Sequence, residues 1–278
     1  MYRSLLLSAL LALGLVAASC GEPVDPIPPA PDAGAVADAG ISLDAGELPA
    51  DAGEQPADAG AEDAGEPADA GQAPEVPLSG FGAISGTCGV LDDELTSDTF
   101  HLVRNHLDFA ADPFDDVDEP LLTEGGQTIH GTENAGGSSV DSEVFAFEML
   151  ARCELATLLA TETEVVYDPP TSKKTDILVS IDGLRIGVSV LRAADFPYNP
   201  YSLANATTKL TDKLNGIAAS TANVVPEQKW VKQILHVLAD SDQNADLATQ
   251  AWDALDAGLK GDTILVLTVT DGDDAFLY

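Results

Sequence analysis

Between residues 32 and 71 the triplet Asp-Ala-Gly recurs seven times, beginning at Asp32, Asp38, Asp44, Asp51, Asp58, Asp63 and Asp69. The starts are five to seven residues apart, and Pro and Glu are interspersed between them. Folded repeat arrays use units of roughly 20–50 residues, each with an apolar face that stacks on its neighbour. These units are too short and have no such face. Residues 21–78 hold 14 acidic side chains, no basic one and no aromatic ring. A segment of this kind cannot offset the entropy of ordering, so it reads as a disordered linker stretched by its own repulsion. Regularly spaced Asp suggests calcium, but each unit offers only one or two carboxylates and nothing to make them converge.

The remaining segment, residues 79–278, is where a core can form. It holds both tryptophans, and its 33 acidic and 11 basic groups give −22 of the chain's net −35. Two hundred residues suit one domain. Binding to phosphate backbones needs Lys and Arg to displace counterions, so nucleic acid and anionic lipid are disfavoured partners.

Residues 1–19 have the form of a signal peptide. Arg3 precedes an apolar run from Leu5 to Val16, and small residues follow. The run is shorter than the roughly 20 residues of a spanning helix. Ala17-Ala18-Ser19-Cys20 resembles the lipobox of bacterial lipoproteins, with Ala17 where Leu is commoner. The resemblance implies lipidation of Cys20, cleavage before it and a membrane partner through the acyl chains. Gly21 in place of Asp implies the outer membrane. Two cysteines remain, Cys88 and Cys153. In an exported chain they suggest a disulfide, the alternative being two buried free thiols.

Within 79–278 the pattern is loop-rich to about residue 140. A helix is expected around residues 97–109, and loops at 112–119 and 125–139. Beyond that, residues 142–160 read as an amphipathic helix, then 164–167, 176–181 and 184–191 as strands. Asp182-Gly183 reads as a hairpin turn. Residues 203–219 read as a helix. Residues 230–239 fit either element, a strand from Lys232 being preferred. A helix over 247–259 and a strand over 263–270 complete an α/β fold, a central mixed sheet flanked by helices.

The order helix, three strands, helix, strand over residues 141–270 resembles the core of the PD-(D/E)xK nuclease superfamily. The resemblance implies an acid on the first helix, Glu143 or Glu148, and an Asp opening the second strand, Asp176. It also implies an acid and a lysine on the third strand, together holding magnesium. The strand Ile186-Gly-Val-Ser-Val-Leu-Arg-Ala193 looks like the family's V-E-V-K-R-A. Ser189 stands in the acid place and Leu191 in the lysine place, and neither can do that chemistry. Lys173, Lys174, Lys209 or Lys213 could supply a migrated amine.

Other constellations lack necessary parts. Asp240, Asp242 and Asn244 begin like an EF-hand loop, but Ala245 replaces its Gly and Ala251 its closing Glu. His101, His106, His130 and His236 have no zinc spacing. The expectation is therefore a lipid-anchored exported protein with a non-catalytic binding domain. It would act without a cofactor, on a protein or envelope partner, through the surroundings of Glu143, Asp176 and Ser189. The alternative is an exported magnesium-dependent nuclease or lipoprotein toxin with a migrated lysine. A stalked coat protein with no specific ligand is a third possibility.

Overall fold

The structure, a computed structural model, describes residues 76–77, 82–115, 117–132, 139–196 and 200–278. The signal peptide, Cys20, the Asp-Ala-Gly linker and residues 133–138 of the loop expected over 125–139 lie outside the described residues. The strands are β1 (Val76–Pro77), β2 (Ala83–Gly86), β3 (His101–Asp108), β4 (Thr157–Thr161), β5 (Ile177–Ile181), β6 (Leu184–Ala193), β7 (Lys232–Ala239) and β8 (Ile264–Asp271). The helices are α1 (Glu124–Gly131), α2 (Val140–Glu154), α3 (Leu203–Asn223), α4 (Asp242–Ala254) and α5 (Ala257–Lys260). Among the described residues no helix is long and apolar enough to cross a membrane.

The strands form one mixed sheet in the order β1-β2-β3-β8-β7-β6-β5-β4. Strands β3, β8, β7 and β6 are mutually parallel, and antiparallel pairs complete both ends. All of β7 is buried, and all of β8 except Asp271. A strand covered on both faces reads as a continuous apolar run, which is why 230–239 looked ambiguous. Alternate residues serve opposite layers. Ile234, Ile264 and Val266 cluster with Val144, Phe145 and Phe147 of α2. Leu235, Val237 and Leu267 cluster with Leu210 and Leu214 of α3 and Trp252 of α4. Each such side chain contributes about 1.5–3 kcal/mol on burial.

The hairpin between β5 and β6 turns at Asp182 and Gly183, with φ of 51° and 76°. Positive φ at both central positions is the backbone of the tight turn that the Asp-Gly pair predicts. Cys88 and Cys153 form a disulfide that closes a separation of 65 residues. Beside it the Glu154 carboxylate accepts from the amides of Gly89 at 3.0 Å and Leu91 at 3.1 Å. Two successive residues of α2 thus fasten the irregular stretch that precedes β3.

Several expected elements differ. The helix expected over 97–109 is strand β3, whose Leu102 and Val103 pack into opposite layers; pairing to β8 overrides a spacing that fits a helix. The helix expected over 142–160 ends at Glu154, where Leu155 turns left-handed (φ 53°), and β4 follows. Residues 164–167 are not a strand; Tyr167 makes only an isolated bridge to Val224. The loop expected over 125–139 begins with α1, whose glycines allow close contact with α2. A Cβ on Gly126 would lie 2.2 Å from Glu148 Oε1. The helix expected over 247–259 begins earlier, with Ser241 Oγ accepting from the Asn244 amide, and breaks into α4 and α5.

Candidate functional site

The site starts from the β5–β6 pairing. Ile177 faces Val188 in the register, which sets Asp176 opposite Ser189, and the Asp176 amide donates to Val188 O at 3.0 Å. Thr175 fixes the approach: its amide donates to Tyr167 Oη at 2.9 Å and its hydroxyl to Val188 O at 2.8 Å. Helix α3 is capped by Ser202 and buries Ala206, Leu210, Leu214 and Ile217 against the sheet. Lys209 and Lys213, one turn apart on its flank, thereby reach the same end of β6.

Asp176 Oδ2 accepts from the Val190 amide at 2.6 Å and from Lys213 Nζ at 3.1 Å. This pair lines a cleft of about 270 Å³ together with Glu143, Arg192, Lys209, Leu191 and Phe196. Glu143 accepts from Ser139 Oγ at 3.0 Å. The Lys209 ammonium donates to Arg192 O at 3.3 Å and lies 5.4 Å from the Phe196 ring centre and 5.3 Å from that of Tyr201. Burial, and then Arg192, hold its amine below the ordinary lysine range. Among the described residues three cations and two carboxylates line the cleft, an excess of positive charge on a domain that is strongly negative overall.

Of the residues singled out in the sequence, Glu143, Asp176, Leu191, Lys209 and Lys213 line this cleft. Glu148 does not. It is fully buried, accepts from the Thr123 amide at 2.8 Å, Thr123 Oγ1 at 2.6 Å and Arg152 Nε at 2.9 Å, and ties α2 to α1. Ser189 is buried beside Thr175 and does not reach the cleft surface; Leu191 also packs into the layer under α3 and α4. Lys173 and Lys174 are exposed outside the cleft. Arg192 and Phe196 were not singled out; Arg192 was visible only as part of the strand motif.

Among the described residues lining the cleft the carboxylates are Glu143, which accepts from Ser139, and Asp176, which is ion-paired. Among the described residues no group of three or more His, Cys, Asp or Glu could hold a metal ion. Magnesium prefers near-octahedral oxygen ligation, which this pair supplies poorly. The EF-hand-like stretch is built into a helix start instead, with Asp240 Oδ1 accepting from Asn244 Nδ2 at 2.7 Å and Asp242 opening α4. His101 and His106 lie on β3, His130 on α1 and His236 in the core of β7.

The fold and cleft define an α/β domain with a polar site at the end of its central strands. No family model matches the chain, and no solved structure matches it. A Dictyostelium discoideum protein called AAC-rich mRNA clone AAC4 protein is 40% identical over 200 residues. That similarity spans 66% of this chain, while the chain spans 28% of that protein's length. Its name states no activity.

Proposed function

We propose that the chain is an exported, lipid-anchored protein whose α/β domain is a non-catalytic binding module on a nuclease-like scaffold. Support for the anchor comes from the apolar run of residues 5–16 and the Cys20 that follows it, and the acidic stretch up to residue 75, short of the expected boundary at 78 because Val76–Pro77 joins the sheet as β1, is proposed as a stalk. The carrying observation is the state of Asp176. Its carboxylate is matched by Lys213 and the Val190 amide, and β6 presents Ser189 and Leu191 where an acid and a lysine would be needed. The cleft is then a recognition surface with an excess of cations, suited to a protein or envelope partner that presents an acidic group. Titration of the full chain with magnesium or manganese should show no tight site, and the Asp176→Ala variant should handle plasmid DNA as the parent does.

A second reading is favoured by Lys213. An amine 3.1 Å from Asp176, in a cleft that Glu143 also lines, is the migrated lysine that a magnesium-dependent nuclease or lipoprotein toxin would require. Metal-dependent nicking of DNA or RNA that disappears in both Asp176→Ala and Lys213→Ala would establish it and overturn the first.

A further inference from the structure

A second cavity, of about 370 Å³, lies along the later half of α3, away from Lys209 and Lys213. Its apolar wall is Leu214, Ile217, Ala218, Trp230 and Leu259. The size falls within the roughly 300–1,000 Å³ of small-molecule sites. Two glycines line it, Gly258 and Gly261, and Gly261 has open space where a Cβ would project.

Its charges are the unexpected part. Lys229, Lys232 and Lys260 line the cavity against one acid, Asp262. These are three of the 11 basic groups in a segment that carries 33 acids. Two of them have partners: Lys232 donates to Ser97 O and lies 3.3 Å from Asp262, and Lys260 sits over the Phe100 ring at 4.3 Å. Lys229 is exposed and makes no ion pair among the described residues. An apolar wall with an excess of cations suits a ligand that has a hydrophobic body and one negative end. A neutral body of the same shape would forgo the charge, and a cation would be repelled.

We infer that this cavity binds a small hydrophobic monoanion, such as a medium-chain or aryl carboxylate, with its body against Trp230 and its carboxylate at Lys229. The inference is independent of what the Asp176 cleft does.

Calorimetric titration of the full chain with decanoate, decanol and decyltrimethylammonium tests it. Decanoate should bind, with decanol weaker by about tenfold, the worth of one charge-assisted hydrogen bond, and the ammonium salt should give no binding heat. Lys229→Glu should weaken decanoate by at least about that factor. Ala218→Phe, on an exposed helix position, should fill the groove and abolish binding with the thermal transition retained. No decanoate binding would overturn the inference. So would equal affinity for decanol, or decanoate binding unaffected by both substitutions in folded protein.

Discussion

Lys213 Nζ and Asp176 Oδ2 meet at 3.1 Å across 37 residues of sequence, joining the flank of α3 to the start of β5. The two side chains keep 35% and 20% of their exposure, so solvent screens the pair. Lys213→Ala should therefore cost no more than about 1 kcal/mol in urea unfolding. Asp176→Ala should cost more, because it also strips the Val190 amide of its acceptor, and Asp176→Asn should recover part of that loss.

Glu148 presents the opposite case, a buried carboxylate serving three donors. Glu148→Ala should destabilise the domain by about 3–5 kcal/mol, since it strips the Thr123 amide and hydroxyl of their acceptor and leaves Arg152 only the bond to Leu121 O. Glu148→Gln should cost less. Chemical denaturation of both variants, with the cleft variant Glu143→Ala as comparison, checks that Glu143 and Glu148 have different tasks.

His236 gives the fold an acid sensitivity. Burial lowers its pKa to about 3 from the ordinary 6.5. The unfolded chain thus takes up a proton that the folded one refuses. This contribution to stability is complete above about pH 6.5 and is lost as pH falls towards 3, with a slope of up to about 1.4 kcal/mol per pH unit. Denaturation of wild type and His236→Gln across that range should show a shallower acid slope in the variant. Equal slopes would contradict the assignment.

Reduction of the Cys88–Cys153 disulfide, or its replacement by Cys88→Ser with Cys153→Ser, should cost about 2–5 kcal/mol. Hydrogen exchange should rise first in residues 87–95, with the Glu154 bonds to Gly89 and Leu91 slowing complete release.

Legibility in the sequence followed local physics. Asp182-Gly183 announced its hairpin because both positions need positive φ, and α3 was readable from its apolar pattern, whereas the continuous apolar run of β7 fitted a helix as well as the preferred strand. Strand β3 was not, because its partner β8 lies far along the chain, and α1 was hidden by glycines whose value lies in contact with α2. Glu143 and Glu148 were equivalent in the motif. Five residues apart, they stand about 140° apart around a helix, and only the packing decides which one lines the cleft. Lys213 stood among four candidate lysines, and the phase of α3 against the sheet separates it from Lys173 and Lys174.

The parallel pairing of β3 with β8 also orders events in time. Asn105 and Thr268 share a buried hydrogen bond of 2.6 Å although 163 residues separate them. A chain emerging N-terminus first from a ribosome cannot complete this sheet until β8 has appeared. Until then the β8-facing edge of β3 stands open, and pairing at such sequence distance is intrinsically slow. Deletion of the last strand should therefore cost both halves of the sheet, leaving a chain that quality-control proteases can recognise.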